Sequence, residues 1–361
     1  MKIVCEGESW RIGASILIDD EYILLSSDPG GDLYKLYLTD NHIEFLKGMA
    51  ETDLLGKMFS CALKRGKKIY FISLYDCYEI IEYDLDSNQL QVLYREKCEN
   101  LQIFQAFLID GKIYMFPDQL KQNICVYSLE YSEAEYIPWE DLLGQVNVNT
   151  GQGVYFMVYC ENTLYGGIYD TNYLFTIKVD PSIQCVVHQL RDDYKIASIN
   201  VYHGELYITL SYGEEKLVCS HKNGEIDEIE LFHEGKESEY ASFLSTIIYD
   251  GKIFMIPCIR NDKIQVVDQK TGEKNMLEYP DGFYRRYAGR LFWQTILVKN
   301  KLYLPHSEGS GLVVLNMDTC MMEYLDYGRI RINQFLNKLD SLREVAMQKK
   351  SNCGSRIYWN L

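Results

Sequence analysis

Apolar and polar positions alternate with a period of two along most of the chain up to about residue 326, and turn residues break the alternation every few positions, which predicts short β-strands throughout. One word recurs seven times: DDEYILL (19–25), GKKIYFI (66–72), DGKIYMF (110–116), ENTLYGG (161–167), HGELYIT (203–209), DGKIFMI (250–256) and KNKLYLP (299–305). With Ile23, Tyr70, Tyr114, Tyr165, Tyr207, Phe254 and Tyr303 taken as equivalent, the spacings are 47, 44, 51, 42, 47 and 49 residues. A period of about 40 to 50 residues made of several short strands is that of β-propeller blades; helical solenoids of similar period carry a 3.6-residue pattern that these units lack.

Each unit divides into four strands. An innermost strand with small or polar residues at its middle comes first, as in ASILI (14–18), QAFLI (105–109), STIIY (245–249) and QTILV (294–298). The repeated word is the second strand. A third follows a loop of variable length, as in EIIEYDLD (79–86) or GLVVLNMD (311–318), and a tight turn such as Asp86-Ser87-Asn88 leads to a short edge strand such as QLQVLY (89–94). Such a sheet cannot cover both of its faces alone, so neighbouring blades must cover them, and 30 tyrosines suit the flaring gaps between sheets. The expected fold is all-β: a seven-bladed propeller of four-stranded antiparallel blades over residues 1–327. Six blades, or a ring closed by mixing N- and C-terminal strands, are the alternatives, and residues 1–8 are a candidate outer strand. Beyond it Phe335, Leu339, Leu342 and Ala346 recur at helical spacing, predicting a helix over about 333–349 in a tail (328–361) packed on the propeller.

Residues 110–139, DGKIYMFPDQLKQNICVYSLEYSEAEYIPW, carry the order in which the whole chain resembles kelch-type repeats: Gly-Lys-Ile-Tyr strand, loop, apolar strand, turn, and an edge strand with Trp139. The resemblance covers about 320 residues, although the Gly-Gly pair that marks the second strand of kelch repeats is missing from six units, and Gly166-Gly167 in the fourth sits about two residues early. It implies a propeller fold and, because that fold hosts enzymes, scaffolds and binding modules alike, it implies little about activity.

Composition narrows the function classes. With 36 basic and 52 acidic side chains the net charge is −16, which disfavours a nucleic acid partner. No apolar run reaches a membrane span and no leader pattern opens the chain, so a soluble, cytoplasmic protein is expected. Eleven cysteines without a CxxC pair are expected as free thiols. The six histidines fall in different units with no metal-ligand spacing, and no Walker A loop, nucleophile elbow, Rossmann glycine pattern or sialidase Asp-box occurs. No cofactor, metal site or catalytic residue is assigned.

Positive charge is placed unevenly. Arg11, Lys57, Lys195 and Arg290 stand 12 or 13 positions before the reference aromatic, where an innermost strand begins, and the stretch 280–295 adds Arg285, Arg286, Tyr287 and Trp293. Guanidinium forks and aromatic faces in a −16 chain suit a carboxylate, phosphate or acidic peptide. Trp10, Trp139 and His306 lie beside comparable connections. The expected function is non-catalytic recognition of a protein segment or an anionic or sugar ligand on the loop face around the central channel. The alternative is a carbohydrate-active or other small-molecule enzyme at the channel mouth.

Overall fold

The computed structural model describes residues 11–28, 31–48, 58–144, 146, 152–154, 156–179, 183–210, 216–221, 225–231, 243–257, 263–283, 292, 294–306 and 311–327. The first sheet orders β1 (Arg11–Ile18), β2 (Tyr22–Asp28), β3 (Leu33–Tyr37) and β4 (Ile43–Lys47) side by side. A seven-stranded sheet follows: β5 (Phe59–Arg65), β6 (Lys68–Ser73), β7 (Tyr75–Asp84), β8 (Gln89–Ile109), β9 (Lys112–Pro117), β10 (Ile124–Ser128) and β11 (Glu133–Ile137). After the short helix α1 (Trp139–Leu143) come four-stranded sheets of β12 (Met157–Cys160), β13 (Thr163–Gly167), β14 (Tyr173–Lys178) and β15 (Gln184–Gln189), then β16 (Ile196–Tyr202), β17 (Glu205–Leu210), β18 (Lys216–Ser220) and β19 (Ile226–Glu230). The last two comprise β20 (Phe243–Tyr249), β21 (Lys252–Pro257), β22 (Ile264–Asp268) and β23 (Lys274–Leu277), and β24 (Ile296–Val298), β25 (Lys301–Pro305), β26 (Gly311–Asn316) and β27 (Met321–Asp326). Every pairing is antiparallel between consecutive strands.

Local chemistry accounts for the meander. Asp110-Gly111 and Asp250-Gly251 take positive φ at both residues, the two-residue hairpin geometry whose twist matches the flanking strands. At the other end of the sheets, Asp84, Asp268 and Asn316 accept backbone N–H bonds from the residues two and three positions on, at 2.8 to 3.2 Å, closing the turns into the edge strands. The repeated word is buried on both faces, as in β6 and β9, whereas edge strands such as β11 and β19 keep exposed positions.

Strand β8 explains the seven-stranded sheet. Its first half pairs with β7 and its second half with β9, so the predicted edge strand 89–94 and innermost strand 105–109 are one 21-residue strand. Tyr70, Ile72, Tyr78 and Ile80 of the first half pack on Met115, Cys125 and Tyr127 of the second, so the sheet turns its two halves face to face. Further apolar clusters lie between successive sheets. The first and last sheets also meet, through Ile23, Leu25 and Tyr34 against Tyr303, Leu312 and Val314, and the Tyr327 hydroxyl donates to the Asn41 carbonyl at 2.8 Å. Among the described residues these two sheets share no strand and meet through side chains. The candidate outer strand 1–8 and the tail 328–361 lie outside the described residues. No disulfide links the described cysteines, and no described helix is long and apolar enough to cross a membrane.

Candidate binding face and central cavity

Register places the connections. Arg11 lies opposite Asp28, Ile103 opposite Pro117, Phe243 opposite Pro257 and Phe292 opposite His306, so the innermost strand of each unit begins beside the end of its second strand. The loops into the third strands and the segments leading into the innermost strands therefore share one face. Backbone bonds stitch them across units: Ile103 N–H to Leu74 O at 2.9 Å, Val154 N–H to Asp118 O at 3.0 Å, and Asp170 N–H to Ile196 O at 2.9 Å. Main-chain bonds of this kind hold the segments of the face in fixed relation to one another.

The innermost strands surround a cavity of about 440 Å³, with Ser15, Ser60, Gln105, Asn200, Ser245 and Gln294 among its walls. Carboxamides here join one unit to the next. Gln294 Oε1 accepts from the Ser15 backbone N–H and hydroxyl, both at 3.0 Å, and its Nε2 donates to the Ser60 carbonyl at 2.8 Å. Gln105 donates to the Met157 carbonyl at 3.2 Å and accepts from the Met157 N–H; Asn200 donates to the Thr246 carbonyl. The polar middles of the innermost strands were legible as a pattern. Their bridging role was not, because each partner belongs to another unit.

On the connection face, Asp118 is 4% exposed, and burial pushes its carboxyl up to about 6 against the opposing pull of backbone N–H groups and Lys121. Its Oδ1 finds no hydrogen-bond partner among the described residues. Asp170 is also raised by burial, and Lys195, leading into β16, opposes the rise. His306 is 2% exposed, packs on Phe283 with centroids 4.8 Å apart, and is lowered to about 4 by burial. Neither of its ring nitrogens has a hydrogen-bond partner among the described residues.

These groups titrate in opposite senses. Asp118, raised from 3.8 to about 6, favours the folded state below its unfolded value and withdraws that contribution as pH climbs through 6; His306, lowered from 6.5 to about 4, contributes above 6.5 and is lost as pH falls toward 4. Asp118→Asn is therefore expected to stabilise the protein relative to wild type well above pH 6, with the gap vanishing at acid pH. His306→Asn should flatten the acid limb. Denaturant midpoints measured across pH check both.

Two of the predicted rim residues are buried. Trp139 is the first residue of α1, 1% exposed between Phe116 and Phe175, because the chain turns inward after Pro138. His306 sits at the expected connection but buried, with no solvated imidazole to offer. Lys195 is half-buried at the expected end of β16, and Arg11 starts β1. Trp10, Lys57, Arg285, Arg286, Tyr287, Arg290 and Trp293 lie outside the described residues. Among the described residues no group of three His, Cys, Asp or Glu side chains is placed to hold a metal.

The arrangement resembles β-propeller-like structures. YCF48 from Cyanidioschyzon merolae matches with a TM-score of 0.63 at 10% identity over 88% of this chain and 98% of that one. YCF48 bound to D1 peptide matches at 0.59 and 8%, over 90% and 94%. A catalytically inactive virginiamycin B lyase from Staphylococcus aureus with quinupristin matches at 0.60 and 11%, over 84% and 94%. No family model and no curated protein matches the chain. At these identities the likeness is one of fold: an all-β, propeller-like protein.

Proposed function

We propose that the chain is a degenerate kelch-like propeller of seven blades, the seven-stranded sheet being two blades joined through β8, and that it is a non-catalytic recognition module. The occupant is a protein segment or an anionic ligand held on the connection face by Arg11, Lys195, Arg285, Arg286 and Arg290. The observation that carries this reading is the stitched connection face above a cavity whose carboxamides are committed to the backbone of neighbouring units: it supplies a rigid platform, and its polar groups serve closure. The likeness to YCF48 bound to D1 peptide supplies a precedent for a peptide on this fold.

Affinity capture from the native host tests it. Wild-type protein is expected to retain a partner that the double reversal Arg286→Glu, Arg290→Glu loses, each desolvated arginine contact being worth about 1 to 3 kcal/mol. Equal recovery by both proteins would count against the assignment. One observation favours small-molecule chemistry instead: the Asp118 carboxyl, buried and poised near pH 6, suits a proton donor or acceptor. A sugar panel in a thermal-shift assay, with Asp118→Asn as control, separates that reading.

A further inference from the structure

The opposite face, where the short hairpins lie, holds a groove of about 400 Å³ between the two halves of the seven-stranded sheet. Arg65 and Lys68 come from the β5–β6 hairpin, Tyr70 from β6, Glu82 from β7, and Gln91 and Leu93 from β8; Leu129, just beyond β10, forms the far wall. Charge within it can be assigned group by group. Glu82, 5% exposed at its side chain, takes the Lys68 ammonium at 2.8 Å and the Gln91 amide at 2.8 Å, so these cancel. Arg65 remains. The other arginines with described side chains are held by carboxylates, Arg95 by Glu79 and Arg191 by Asp193 and Glu228. Arg65 has no carboxylate partner among the described residues, in a chain with 16 more acidic than basic groups.

Its position is defined by a neighbour. A Cβ on Gly111 would sit 3.3 Å from Arg65 Nη1 and 3.6 Å from Nη2, so the guanidinium lies over the glycine of the β8–β9 hairpin, where φ of +78° also calls for glycine. The Tyr70 hydroxyl, kept protonated by burial and by Glu82, feels the opposing pull of the same guanidinium. A guanidinium beside that glycine and leucines on the walls suit an anionic head on an apolar body.

We propose that this groove binds a small amphipathic anion whose carboxylate or phosphate group sits on Arg65 and whose apolar part lies against Leu93 and Leu129. It is separate from the connection face and stands whatever that face binds. The test is NMR titration of the full chain with benzoate and with phenyl phosphate at physiological ionic strength, where screening over about 8 Å suppresses long-range repulsion but not a contact pair. At least one probe is expected to move the Arg65 Nε–H and Gly111 amide signals saturably, and comparing the two identifies the preferred head group. Arg65→Gln should weaken binding about tenfold or more, and Arg65→Lys severalfold, because an ammonium lacks the two-pronged fork. Arg65 is exposed and has no carboxylate partner among the described residues, so both variants should keep the wild-type unfolding midpoint. No saturable shift with either probe, or unchanged affinity in Arg65→Gln, would overturn the proposal.

Discussion

Trp139→Ala is expected to lower the unfolding free energy by roughly 3 to 5 kcal/mol, the usual cost of emptying a large aromatic site in a packed core. The indole is a wedge between units. Its ring centroid lies 5.8 Å from that of Phe116 and 5.6 Å from that of Phe175, the second edge-on, and Ile124, Val154 and Leu164 belong to the same buried cluster. These side chains come from the last strands of the seven-stranded sheet and from the next sheet, so backbone pairing cannot draw them together to refill the hole. The indole N–H finds no hydrogen-bond partner among the described residues. Trp139→Phe therefore sacrifices volume without breaking a hydrogen bond, and should cost about 1 to 2 kcal/mol, less than half as much. Denaturant unfolding of the two variants reads the difference. A near-neutral alanine variant would mean that the wedge carries no load between the units.

Gln294→Ala is expected to cost roughly 2 to 4 kcal/mol, because it strands the Ser15 N–H and the Ser60 carbonyl in a largely buried position at about 1 to 3 kcal/mol each. Ser15 is 8% and Ser60 2% exposed, and the two belong to different innermost strands. The loss should be regional: amide exchange should quicken in β1 and β5 before it does in β16. Gln294→Glu sharpens the test. At neutral pH a carboxylate faces the Ser60 carbonyl and destabilises further, whereas near or below the ordinary glutamate value of about 4.3 the protonated acid regains a donor. The gap between wild type and this variant should therefore narrow on acidification, and a pH-independent gap would argue against the bridge.

Much of the strand order could be read directly. The Gly-Lys-Ile-Tyr words became second strands buried on both faces, Asp110-Gly111 became a hairpin turn, and Asp84 and Asp268 closed the turns into edge strands, since each depends on residues within a few positions. Strand β8 was read as two pieces because the residues between 94 and 105 lack clean alternation; pairing with an extended β7, Cys77 opposite Lys97 and Tyr75 opposite Gln102, holds them extended. Trp139 read as a rim residue by its place after an edge strand, and only the neighbouring sheet shows it to be core.

From the amino-acid order alone came the all-β class, the repeat and the meander within each unit, because alternation, turn chemistry and antiparallel pairing of adjacent strands are local properties of the chain. Tertiary structure alone decided that Gln294 reaches Ser15 across 279 residues, that Asp118 is buried enough to titrate near 6, and that Arg65 lies over Gly111. Those facts arise where separate units meet, and the burial and partners of a side chain there are set by surfaces distant in sequence, which no periodicity encodes.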